Sequence, residues 1–268
     1  MHETTRHVPR VGSFFSLTFA WTWSLQIPAV LAQRGHLPGD PESYLPLAAL
    51  GILGPGAAAL WLTGRNQGSS AARHLLASVT RLRASLPVYV IGMVLPMVLL
   101  SAGLLLLRPA GYDGPLALTP TKERVVIALL ISLAEELGFR GYALPRLHAR
   151  YGALAASAAL SVLWTLWHIP MFVGQGIPLS LLPVLQLELL GGSILFTWIY
   201  LRSRGGLGAV VLAHFCIHLN NPHLALPDNT LPLLLHSVIV AGLGLAVARF
   251  DRQVFPELAR RSPHRALP

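Results

Sequence analysis

The sequence predicts an all-α membrane protein: a polytopic bundle of about eight transmembrane helices, forming one membrane-embedded domain over residues 1–268. Three observations point there. The chain is 53% hydrophobic and only 12% charged, with a mean hydropathy of +0.58, whereas a soluble domain carries about a quarter charged residues. Its apolar residues gather in runs near the ~20 that a bilayer core of ~30 Å requires. Its arginines sit in short pieces between those runs. A net charge of +9 would suit nucleic acid, but this placement instead names the lipid bilayer as the partner and excludes nucleic acid. One cysteine, Cys216, excludes a disulfide framework and a thiolate zinc site. No glycine-rich phosphate loop or internal repeat is present.

In chain order, the first span covers 12–32, behind a polar head with Arg6 and Arg10. A signal peptide is the competing reading. The run is long for one and the cleavage pattern weak, so an uncleaved helix is expected. The second span, 44–63, is interrupted by Gly54-Pro55-Gly56, and the third, 86–107, accommodates Pro87 and Pro96 as kinks. The polar stretch between them, 65–84, spaces Leu75, Leu76, Val79 and Leu82 for one helical face. It reads equally as an interfacial helix or a solvated loop. The fourth span, 124–145, holds Glu135, Glu136 and Arg140; the fifth, 152–172, holds Trp164 and His168; the sixth, 178–201, holds Glu188. A short seventh, 206–219, carries His214 and His218, and the last is 230–248, followed by a polar tail over 249–268.

The charges give the expected orientation. With the N-terminus in the cytoplasm, alternate loops and the tail hold Arg6, Arg10, Arg65, Arg73, Arg81, Arg83, Arg146, Arg150, Arg202, Arg204, Arg249, Arg252, Arg260, Arg261 and Arg265, fifteen cations. The opposite side holds four, Arg34, Arg108, Lys122 and Arg124. That asymmetry follows the positive-inside rule and puts both termini in the cytoplasm. Nineteen arginines against one lysine suggest a GC-rich coding sequence, hence a bacterial plasma membrane.

The chemistry centres on 131–147. Ionisable residues at membrane depth cost several kcal/mol on some scales and are functional-site hypotheses by default. Glu136 and Arg140 are four residues apart and share a helix face, while Glu135 lies ~100° around. The simplest arrangement pairs Arg140 with Glu136 and turns Glu135 to the bundle interior. A carboxylate stripped of water gains proton affinity and becomes a competent general base. A purely structural Glu–Arg lock between helices is the bland alternative. Three histidines on separate apolar runs weigh against it: His168, which shares a face with Trp164, and His214 with His218, again four apart. A lone histidine in an apolar helix is usually a satisfied core residue. Three of them beside a glutamate pair imply a shared polar cavity, since lipid will not solvate them. Neutral imidazoles can ligate a metal or hydrogen-bond a developing oxyanion. Glu188 either lines that cavity or is buried and protonated, the second being favoured.

Taken together, Glu135-Glu136-Leu-Gly-Phe-Arg140, Trp164-Thr-Leu-Trp-His168 and His214-Phe-Cys-Ile-His218 resemble the CPBP family. This is the bacterial branch of the type II CAAX prenyl endopeptidases, also called the Abi intramembrane proteases. The motif core covers 122–220, and the first motif with its trailing Arg140-Gly-Tyr-Ala-Leu-Pro-Arg-Leu is the most specific part. Two positions depart from the family pattern: Trp164 stands where phenylalanine is commoner, and His218 where asparagine is usual. Asn220 and Asn221 are nearby but out of register.

The resemblance implies an intramembrane endopeptidase acting on a membrane-associated, CAAX-prenyl-type peptide or protein. Glu135 would activate water with help from His168. His214 and His218 would stabilise the oxyanion or hold a divalent metal such as zinc, with His168 a third candidate ligand. Glu136 and Arg140 would support them. The soluble metalloprotease pattern His-Glu-x-x-His is absent. The alternatives are a non-catalytic bacteriocin-immunity or scaffold protein of the same fold, and a proton-relaying transporter. The transporter reading lacks the expected inverted repeats.

Overall fold

Helix formation follows the apolar runs, and proline and glycine decide where each run breaks. The computed structural model describes residues 11–116, 120–220 and 230–258. They fold as helices, with no strand among them, so the all-α class holds. Arg6, Arg10, Asn221 and the tail from residue 259, with Arg260, Arg261 and Arg265, lie outside the described residues.

Helix α1 (Val11–Gln33) is continuous. The second expected span divides into α2 (Leu45–Gly51) and α3 (Gly54–Gln67), parting at Ile52 and Leu53 just before the Gly-Pro-Gly. A short α4 (Ser69–Ala77) follows. In the stretch 65–84, Leu75 and Val79 pack on Leu137, Leu207 and Val211, while Leu76 and Leu82 stay exposed. The third span comprises α5 (Leu86–Tyr89), a π-helical turn over Val90–Val94 and α6 (Leu95–Leu106). The π turn sits where Pro96 can supply no N–H to the ladder.

Helix α7 (Lys122–Gly138) starts on Thr121, whose hydroxyl accepts the Arg124 N–H at 3.2 Å as an N-cap. It passes through a second π turn, Phe139–Ala143, into α8 (Leu144–Tyr151). Helix α9 (Ala153–Trp167) stops at His168, and α10 (Ile169–Gly174) restarts with Pro170 in its first turn. The expected single span 152–172 is therefore broken at His168, because Pro170 lacks the N–H that would bond back to Leu166. Helices α11 (Leu182–Arg202), α12 (Gly208–Asn220) and α13 (Thr230–Phe250) complete the bundle.

Five stretches are long and apolar enough to cross a bilayer among the described residues: Val11–Gln33, Pro41–Gln67, Leu86–Leu106, Leu179–Arg202 and Leu231–Phe250. Large apolar side chains such as Leu106, 78% exposed, and Phe250, 82% exposed, project from this set, where lipid rather than water would cover them. The protein is an integral membrane protein. The count of eight spans is not confirmed. The three runs that fall short, 124–145, 152–172 and 206–219, are the ones that carry the glutamates and the three motif histidines. Their motif-bearing ends are buried among other helices, while Val126, Ile127, Leu129 and Leu130 of α7 stay exposed.

Two close approaches fix the packing around that centre. A Cβ on Gly138 would lie 2.5 Å from the Cβ of Pro55 and 2.7 Å from its carbonyl, so α3 rests directly on α7 beside the glutamates. Helices α11 and α13 run parallel, because residues 188, 191 and 202 of one side meet 237, 241 and 251 of the other. At Gly191 their backbones touch: a Cβ there would run into Ala241 Cα and the Val240 carbonyl. Gly191→Ala is expected to destabilise the protein by roughly 1–3 kcal/mol through overpacking, read as a lower unfolding midpoint in detergent. Gly242→Ala, with nothing within 4 Å of the new methyl, should leave the midpoint level or raise it. Equal midpoints for the two variants would show that α11 and α13 are not locked at Gly191.

Candidate active site

The site is built from the lower third of α7, the end of α9, the middle of α11 and the face of α12. Glu135 and Glu136 are 1% and 0% exposed and Arg140 is 0% exposed. Burying three ionisable groups this way requires that each find partners. Glu136 supplies most of them. Its Oε1 accepts a hydrogen bond from Arg140 Nη1 at 3.1 Å and lies 2.7 Å from His214 Nδ1. The Glu136–Arg140 pair expected from the i, i+4 spacing is thus present. It crosses the α7–π-turn junction, and π turns often mark functional sites.

The rest of the Arg140 guanidinium is covered by rings, 4.5 Å from the Trp164 centroid and 4.9 Å from that of Phe196. A cation packed on aromatic faces away from water is substantially stabilised. Trp164 serves twice, because its indole Nε1 donates to Glu135 Oε2 at 2.6 Å. One tryptophan therefore holds the arginine on its face and the glutamate at its edge.

The hydrogen bonds fix the histidine tautomers. His168 Nδ1 lies 2.8 Å from the Trp164 carbonyl oxygen. A carbonyl can only accept, so Nδ1 carries the proton and Nε2 offers a lone pair. His214 is in the same position. Glu136 Oε1 already accepts from Arg140, so the carboxylate also accepts from His214 Nδ1–H, leaving Nε2 as a lone pair. A carboxylate holding the far nitrogen of an imidazole is the arrangement that orients metal-ligating histidines. The His214 ring stacks on His218, with centroids 4.6 Å apart and planes 20° apart. His218 Nε2 is buried without a hydrogen-bond partner.

Glu135, His214 and His218 each offer one possible ligand atom, and the three atoms lie within 4.8 Å of one another. His168 is outside that trio. It lies beside it, against Trp164 and Trp167 and stacked on Phe172, with ring centroids 5.7, 4.7 and 5.4 Å away. Glu188 is not fully buried as expected. Its side chain is 16% exposed, accepts the Ser237 hydroxyl at 2.8 Å and lies 3.0 Å from His236 Nδ1, joining α11 to α13.

Sequence reasoning missed Phe196, which packs against both Arg140 and His214. It sits in α11, whose few polar residues single out no face that would mark it. It also missed the indole N–H of Trp164 as the partner of Glu135. A tryptophan in place of phenylalanine brings a donor as well as a ring, and that difference was the available signal.

Residues 119–220 match the family model described as Type II CAAX prenyl endopeptidase Rce1-like. The chain is 29% identical over 147 residues to a CAAX prenyl protease 2 of Methanococcus maripaludis, an alignment covering 49% of this chain and 51% of that relative. The chain spans about half the length of the curated relative it matches. Glu135, Glu136, Arg140, His168, His214 and His218 all fall inside the family match, so the segment that holds the candidate site is the one that resembles the Rce1-like type II CAAX prenyl endopeptidases.

Proposed function

We propose that this protein is an intramembrane endopeptidase that hydrolyses a peptide bond in a membrane-associated substrate of the CAAX-prenyl type. The observation that carries the reading is the clustering of possible ligand atoms of Glu135, His214 and His218 next to the buried Glu136–Arg140 pair. The name of the Methanococcus maripaludis relative supports the substrate class. The arginine asymmetry supports cytoplasmic termini, and the arginine-to-lysine ratio a bacterial plasma membrane.

In this reading Glu135 removes a proton from the attacking water, and its bond from Trp164 holds the carboxylate in place. His168, with a lone pair on Nε2, is the adjoining base. As the water oxygen bonds to the scissile carbonyl carbon, negative charge gathers on the carbonyl oxygen beside His214 and His218. A proton passed on from Glu135 to the departing amine completes the hydrolysis. Glu136 and Arg140 hold His214 and take no proton themselves.

The family's possible metal fits the residues present. A carboxylate and two imidazoles make a recognised zinc-type donor set, the His214 lone pair faces away from Glu136, and the buried His218 Nε2 has no protein partner. Glu135, His214 and His218 would hold the ion, which when bound supplies Lewis acidity and a more acidic water; Glu135 would then serve as a ligand and His168 as the base. A neutral His214 of this tautomer has no N–H left for an oxyanion, which favours the ligand role over the donor role.

Cleavage of a pool of prenylated and plain membrane peptides by the purified protein, followed by mass spectrometry, tests the activity. Glu135→Gln is expected to lower the rate at least about a hundredfold, the scale of general-base catalysis. A variant that cleaves as fast as its parent would dismiss Glu135 as the base, and a parent that cleaves nothing in the pool would favour a binding protein of the same fold. His218→Asn separates the two histidine roles. If His218 is a ligand, elemental analysis should find metal retention weakened at least about tenfold, and a chelator should silence the parent protein. Full activity of His218→Asn in chelator would instead make position 218 an oxyanion donor and dismiss the metal.

A further inference from the structure

Away from the catalytic residues, two cavities meet at the C-terminal ends of α11 and α13. The first is an apolar groove of about 630 Å³, lined by Ile91, Leu95, Trp198, Leu243, Val247 and Phe250. The second is a polar pocket of about 610 Å³ whose walls are Arg83, Ser85, Leu201, Arg202 and Arg204. Arg202 lines both, so the apolar groove opens onto a cluster of three arginines.

This meeting point is held in place by the fold. Asp251, directly after α13, accepts Arg202 Nε at 2.6 Å and the Trp198 indole N–H at 2.7 Å. Partial burial pushes the Asp251 carboxyl up, but the bonds from Arg202 and Trp198 outweigh that and hold it below the usual carboxylate range. It therefore stays an acceptor at neutral pH and keeps Arg202 oriented. The segment bearing Arg83 is tied to the turn bearing Arg204 by the Leu207 N–H, which donates to the Ser78 carbonyl at 2.9 Å. Arg204 itself has φ 51°, the sole non-glycine residue with positive φ among the described residues. An arginine kept in a conformation that favours glycine or asparagine is a local cost that needs a return.

An apolar groove between membrane helices that adjoins a cluster of arginines has the polarity of one amphiphile with an anionic head. We propose that this is a binding site for a single anionic glycerophospholipid, with an acyl chain in the groove against Trp198 and Val247 and the phosphate between Arg83 and Arg204. The arginine excess at this end of the bundle supplies the charge complementarity. The site should therefore discriminate by headgroup.

Native mass spectrometry of the full chain in mild detergent, given equal phosphatidylglycerol and phosphatidylcholine of matched chains, provides the test. One phosphatidylglycerol should be retained in preference to phosphatidylcholine. Arg83→Gln and Arg204→Gln should each weaken that retention roughly fivefold, the scale expected per cation near a membrane surface, and leave phosphatidylcholine unaffected. Ala246→Trp, which fills the groove from α13 without touching an arginine, should expel both lipids. Unfolding midpoints identify any variant that fails to fold, and Arg83→Gln, at an exposed position, then suffices alone. Equal retention of the two lipids, or a preference that survives both arginine changes, would overturn the proposal. So would displacement of the lipid by inorganic phosphate with binding indifferent to Ala246→Trp, which describes a free-anion pocket. Displacement by a prenylated peptide alone would make the groove a substrate port.

Discussion

One carboxylate oxygen, Oε1 of Glu136, sits at the intersection of the two helices that carry the chemistry. It binds Arg140 on its own helix and His214 on α12, and the three groups are almost wholly shielded from solvent. Removing one partner from such a buried set leaves an uncompensated charge, a loss of roughly 3–5 kcal/mol. The rest of the site depends on that set. Arg140 gives Trp164 a cation to lie against, Trp164 aims its N–H at Glu135, and His214 presents a lone pair because its other nitrogen is taken.

The helices around this centre are arranged to shield it. Glycines let α3 and α7, and α11 and α13, approach at backbone distance. Phe14, Phe139, Tyr142, Trp164, Trp167 and Phe196 belong to the buried core beside it, and Trp164 and Phe196 cover the arginine with rings rather than polar groups. The chemistry-bearing helices are short, whereas α1, α11 and α13 match the thickness of a bilayer.

Much of this was legible in the sequence. Hydropathy gave the long helices, and the spacing of Glu136 and Arg140 gave their pairing, because each depends on residues close in the chain. The break at His168 was less visible, although Pro170 marked it. The role of Phe196 and the Trp164–Glu135 bond were not legible, since they join residues far apart through side chains that look alike in an apolar background. The count of eight spans is not confirmed, because the runs bearing the glutamates and histidines form shorter helices, one ending at a π turn and one at His168.

The sharing of Oε1 also constrains how such a protein can diverge. Neither Glu136 nor Arg140 can be replaced alone without stranding the other's charge, so drift at either is blocked unless both change together. Position 218 bears no such obligation, because its Nε2 has no protein partner to abandon. A lineage could exchange histidine and asparagine there in a single step. The site's freedom to explore new chemistry is concentrated at the residue with the fewest bonds, and that is where this chain parts from the usual pattern of the family it resembles.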